Sequence, residues 1–195
     1  MSWRVTYSKA SKTTLSAVST STGTISANVL LKATDRVELR ESDGTIVRLG
    51  AGAKFEIKDS ALGNRPEYSG PVYISRKGGC GKYVTSYWVA AANPLSDRPD
   101  VFMKPSDQPD VDEFYAISGD IVIYELDEDA KTFTICTVHE GEKALIAFDS
   151  KASKMRNRYK AKVVPYSDLE YEYVLKEFTY SASRSQPFFC SRRRR

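Results

Sequence analysis

Between residues 36 and 60, apolar and polar side chains alternate, and turn-forming residues break the pattern at short intervals. Val37 and Leu39 alternate with Arg36, Glu38 and Arg40, after which Glu41-Ser42-Asp43-Gly44 interrupts the run. Ile46, Val47 and Leu49 lead into Gly50-Ala51-Gly52, and Phe55 and Ile57 then alternate with Lys54, Glu56 and Lys58. A period of two sends successive side chains to opposite faces, which a strand satisfies and a helix does not. Asp43-Gly44 suits a tight hairpin because glycine adopts positive φ cheaply. Three short strands at roughly 8–10-residue spacing predict an all-β architecture.

The pattern returns later in the chain. Residues 114–149 read as strands separated by Ser118-Gly119-Asp120, Asp127-Glu128-Asp129 and Glu140-Gly141-Glu142. Residues 61–81 read as a loop with a strand over 71–74, and 82–92 as one strand. Residues 93–113 hold four prolines together with Asp97, Asp100, Asp107, Asp110, Asp112 and Glu113, and read as an exposed acidic loop. Arg156, Arg158, Lys160 and Lys162 alternate with uncharged residues, as on a strand edge, with a short helix over 150–160 as the rival reading. Residues 169–174 alternate like a strand, and no helical periodicity of three turns stands out anywhere. The expectation is a solenoid-like or sandwich stack of short antiparallel strands, with a strand or arm at 1–35, a β core at 36–149 and a basic extension at 150–195.

Of the 195 residues, 41% are apolar, enough for one domain with a real core and no staples. The 22 aromatic residues include 12 tyrosines, which suit strands and interfaces. No apolar run approaches the ~20 residues of a spanning helix, and the Ser/Thr-rich start lacks the apolar stretch of a signal peptide. Cys80, Cys136 and Cys190 are odd in number and widely spaced, unlike a disulfide framework or a zinc cluster. These features point to a cytoplasmic protein, or one belonging to a released assembly. Charge is polarised: residues 151–195 carry a net +8 within a chain total of +4. Such asymmetry favours docking on an acidic surface.

Three blocks resemble the FecR-like family of all-β domains. The first is Asp43-Gly44-Thr45-Ile46-Val47-Arg48-Leu49 followed by Gly52-Ala53-Lys54-Phe55. The second is Gly81-Lys82-Tyr83-Val84-Thr85. The third is Ile117-Ser118-Gly119-Asp120-Ile121-Val122-Ile123-Tyr124, followed by Val138-His139-Glu140-Gly141-Glu142-Lys143-Ala144. Together they span residues 36–149. The family's Val-Arg-Gly-Thr segment is absent, and Trp88-Val89-Ala90-Ala91-Ala92 stands in its place. The resemblance implies a solenoid-like strand stack acting by protein–protein contact, as in periplasmic signalling to a sigma factor. It brings no catalytic residues.

No catalytic, cofactor-binding or metal-ligating set emerges from the residues themselves. His139 is the single histidine, which excludes two-histidine metal sites, and no Gly-x-Ser-x-Gly elbow accompanies it. Gly78-Gly79-Cys80-Gly81-Lys82 lacks the spacing of a phosphate-binding loop, and Asp127-Glu128-Asp129 lacks that of a calcium loop. The expectation is a non-enzymatic structural or adaptor subunit of a larger assembly, of the phage, capsid, tail or secretion-machine kind. Its partner contacts are expected at Trp3 and Tyr7, on an arm that extends a neighbour's sheet, and at Phe188, Phe189, Arg192, Arg193, Arg194 and Arg195. Two alternatives stand beside it. One is a regulatory module holding a sugar or cation near 93–113, and the other is nucleic-acid contact through the arginine tail.

Overall fold

The alternating runs fold into hairpins, and the hairpins are dealt in turn to two facing sheets. The computed structural model describes residues 3–8, 24–25, 28, 30–58, 65–75, 81–83, 87–93, 99–126, 132–152 and 158–178. In the nine-stranded sheet the spatial order is β16 (Tyr159–Pro165), β15 (Glu142–Phe148), β12 (Val111–Ser118), β11 (Asp100–Pro105), β8 (Val72–Ser75), β5 (Ile46–Leu49), β4 (Val37–Glu41), β1 (Trp3–Ser8) and β2 (Thr24–Ile25). In the seven-stranded sheet it is β14 (Thr132–Val138), β13 (Ile121–Leu126), β10 (Tyr87–Ala91), β9 (Gly81–Tyr83), β7 (Arg65–Ser69), β6 (Lys54–Lys58) and β3 (Leu30–Lys32). From β3 onward, both sheets fill in chain order, so the chain zigzags between layers as it advances. The result is an all-β sandwich stacked like a solenoid. Pairing is antiparallel except between β7 and β9.

Several crossings between layers are tight corners made by glycine. Gly52, Gly70, Gly119 and Gly141 all have positive φ. Gly52 donates to the Ala33 carbonyl at 2.8 Å, and Ala33 donates to Ala53 at the same distance, knitting two corners together. Further along, Asp120 accepts from the Glu140 amide at 2.9 Å, and Glu140 accepts from the Gly119 amide at 2.9 Å. This clasp joins the two Gly-based units that closed the third block of resemblance.

The inner faces supply the core. Leu39, Val47 and Leu49 from one layer meet Leu31, Phe55 and Ile57 from the other, all buried. Further along the stack, Phe114, Ala144 and Ile146 pair with Ile121, Ile123 and Val138 in the same way.

Several expectations are corrected. Trp3 is not on an arm that reaches a neighbour. Its strand pairs with β4 and β2 of its own chain, and its indole is 1% exposed, with its centroid 5.1 Å from that of Phe55. An apolar ring of this size gains more from the chain's own core than from solvent. Tyr7 pairs by backbone with Glu38 in the same ladder. The stretch 93–113 is not all loop: β11 runs through it. Val101 and Met103 face the inner core and Phe102 the opposite side, so three consecutive apolar residues fill a strand covered on both faces. The strand expected over 82–92 is split into β9 and β10. The basic stretch forms an edge strand from Tyr159 onward.

The largest correction is α1 (Asp168–Phe178), an eleven-residue helix where a strand was expected. Val174 and Phe178, one helical turn apart, face the sheet and are buried against it. Among the described residues, no helix is long and apolar enough to cross a membrane.

Candidate functional site

The outer face of the nine-stranded sheet carries a second apolar cluster. Tyr73 on β8, Phe102 on β11, and Tyr115 and Ile117 on β12 point away from the inner core. α1 lies over them, with Tyr166, Val174 and Phe178 completing the layer. The rings of Phe102 and Phe178 sit 4.8 Å apart, and those of Tyr73 and Phe178 stack at 6.4 Å.

Both ends of the helix are pinned. At the start, Ser167 and Glu170 form a capping box. Glu170 donates its amide to the Ser167 hydroxyl at 3.3 Å, and its carboxylate accepts the Ser167 amide at 2.8 Å. The same carboxylate pairs with Lys143 on β15 and lies 3.1 Å from the Tyr115 hydroxyl, whose proton goes to the nearer Glu113. At the end, Arg48 on β5 donates to the Phe178 carbonyl at 2.7 Å, and Arg36 pairs with Glu177. Cations at a helix C-terminus also meet the negative end of its dipole.

Arg48 is itself held by a buried acid. Glu38 on β4 is 0% exposed and accepts from Arg48 and Arg40 at 3.0 Å each and from Thr6 at 2.9 Å. A buried carboxylate is tolerated only when its lone pairs are used in this way. A matching network lies under the helix start. Burial opposes the charge on Glu113. The Tyr115 and Ser106 hydroxyls, with Lys104 and Lys143, nonetheless hold its carboxyl below the ordinary glutamate range.

Burial likewise works against Glu170, but Lys143 and the Ser167 amide and hydroxyl outweigh it and bring the carboxyl down to about 2. A depressed folded value stabilises the protein above the ordinary 4.5 and loses that contribution as pH falls toward 2. Urea unfolding of wild type and Glu170→Gln should therefore differ fully near neutral pH and converge at about pH 2. A gap that persists at that pH would show that the charge of Glu170 is not what holds the helix start.

With its inner side sealed, α1 presents the other side to solvent. Leu169 is 78% exposed, and Tyr173, one turn on, is 50% exposed with its ring edge-on to Phe102 at the margin of the cluster. Sequence reading missed this pair, together with Arg48, Glu38 and Lys143. Its one local signal was Ser167-x-x-Glu170 ahead of Val174 and Phe178.

Of the residues expected at the partner contact, only Trp3 and Tyr7 are among the described ones. Trp3 is in the core, and Phe188, Phe189, Arg192, Arg193, Arg194 and Arg195 lie outside the described residues, as do Cys80, Cys190 and Asp127-Glu128-Asp129. His139 is exposed at a corner, with Nδ1 2.8 Å from Asp120, whose carboxylate raises the imidazole above 6.5. Burial pushes the Cys136 thiol up to about 11, so it stays protonated at neutral pH. Among the described residues, no three His, Cys, Asp or Glu side chains cluster as metal ligands.

No family model and no curated protein matches the chain. Two solved structures align with it, both of a candidate anti-sigma factor from Parabacteroides distasonis ATCC 8503. One shares 10% identity at a TM-score of 0.48, covering 70% of this chain and 59% of that one. The other shares 11% identity at 0.49, covering 75% and 65%. The chain thus spans less than two thirds of either neighbour's length. Both scores lie under 0.5.

Proposed function

We propose that this chain is a non-catalytic β module that works as an adaptor through protein–protein contact, with α1 as its docking element. The observation that carries this reading is the exposed pair Leu169 and Tyr173 on a helix fastened at both ends. An apolar pair at i and i+4 is the anchor spacing by which a helix enters a partner's groove. Tyrosine is among the residue types enriched at such hot spots, while leucine adds apolar area. A helix already pinned to a sheet spends little further entropy on binding. Glu172 and Lys176, both exposed, supply a polar rim to the pair.

The resemblance of residues 36–149 to FecR-like domains, which act by protein contact, agrees with this reading. The test is retention of a protein from lysate of the cells that make the chain. Full-length wild type should hold a discrete partner that a Leu169→Ala/Tyr173→Ala variant holds roughly tenfold more weakly, about 1.4 kcal/mol or more. Equal retention by the two baits would contradict a docking role for the helix.

A further inference from the structure

Stacks of this kind end in edge strands, and an edge exposes a row of backbone N–H and C=O groups. Among the described residues there are four. β2 has two residues and β3 has three, too short to template much pairing. β16 has seven, but Lys160 and Lys162 are exposed along it and Pro165 ends it, features that discourage edge pairing. β14 differs from all of these. Its seven residues, Thr132-Phe133-Thr134-Ile135-Cys136-Thr137-Val138, include no charge, no proline and no glycine. Every one is of β-branched, aromatic or small apolar type. A segment with that composition on a sheet edge is built to accept another strand.

We propose that the outer edge of β14 pairs antiparallel with β14 of a second copy, joining two seven-stranded sheets across a twofold axis. Charge selects the occupant. A twofold contact pairs residue i with j and j with i, so like charges close together on one edge strand are brought face to face near the axis. β14 has none to repel its copy, whereas β16 would oppose lysine to lysine. Thr132, Thr134 and Thr137 are exposed along β14, and facing threonines make favourable cross-strand pairs. Phe133 and Ile135 are half-buried against the core at this end of the stack, and the second copy would cover what remains of them. The contact lies on the sheet that does not carry α1, so the helix stays free.

The experiment is light scattering on the full-length chain from about 1 to about 200 µM, since dimer population follows concentration. The expected result is a concentration-dependent dimer whose dissociation constant rises roughly tenfold in Thr134→Lys, an exposed position where the monomer's melting temperature should not move. Lys160→Thr/Lys162→Thr should leave the constant unchanged. A monomer throughout the range would overturn the proposal, as would a dimer indifferent to Thr134→Lys. A dimer that responds only to the β16 variant would place the contact on the other edge and overturn it equally.

Discussion

Phe178→Ala lowers the stability of the protein by about 3–5 kcal/mol, the range for removing a fully buried aromatic ring. The ring is 2% exposed and sits against Phe102, Tyr73 and the corner at Gly50. A β-carbon placed on Gly50 would lie 3.1 Å from the Phe178 ring, so glycine at that corner is what lets the ring seat. Losing the ring leaves a void between helix and sheet, and it removes the apolar anchor beside the carbonyl that Arg48 holds. For a chain of this length, a loss of about 4 kcal/mol corresponds to roughly 8–16 °C in melting temperature. Leu169→Ala, on the opposite side of the same helix, should change stability by less than about 0.5 kcal/mol. Thermal unfolding of the two variants side by side checks the orientation of α1. Equal losses would mean that the helix does not pack as described.

Gly70→Ala carries the second large effect, for a different reason. A β-carbon at Gly70 would lie 2.8 Å from the Ala53 α-carbon and 3.2 Å from both the Ala53 nitrogen and the Gly52 oxygen. All three are backbone atoms, so no side chain can rotate aside. Gly70 also has φ near +81°, where an L-residue with a β-carbon is strained by about 1–2 kcal/mol. Overpacking adds about 1–3 kcal/mol, and the expected total is about 3 kcal/mol. Gly44→Ala separates the two contributions. Gly44 has φ near +92°, with nothing within 4 Å of its virtual β-carbon, so only the backbone strain should appear there. Denaturant titration should rank Gly70→Ala well above Gly44→Ala. Similar losses would show that the two corners at Gly52 and Gly70 do not approach as closely as described.

The strand content was legible because period-two alternation and glycine-based turns are local signals, and both sheets are built from local hairpins. Asp43-Gly44 is followed by the antiparallel register of β4 on β5, and the Gly119 and Gly141 corners fall where the turn residues stood. Two features were hidden because tertiary burial overrides local pattern. β11 sits in a stretch dominated by prolines and acids. Only Val101-Phe102-Met103 marks it, and three consecutive apolar residues signal a strand only once both its faces are known to be covered. α1 was masked by Glu170, Tyr171, Glu172 and Tyr173, whose alternation imitates a strand. Ser167-x-x-Glu170 marked the helix start, and Val174 with Phe178 marked its buried face.

The exposed pair on α1 was illegible for a related reason. Leu169 and Tyr173 become neighbours only on a helix, and become exposed only when Val174 and Phe178 bury the other side. The buried acid Glu38 likewise looks like the polar half of an alternating strand. It faces outward from the sandwich, as that pattern says, but the helix end and three cationic or hydroxyl donors close over it.

Photo-crosslinking in living cells tests the central claim most directly. A photoreactive side chain in place of Tyr173 samples the outer side of α1, and one in place of Glu56, on the seven-stranded sheet, serves as the comparison. The account predicts a discrete adduct with a second protein from position 173 and none of comparable yield from position 56. Adducts of equal yield from both positions, or none from position 173, would contradict it.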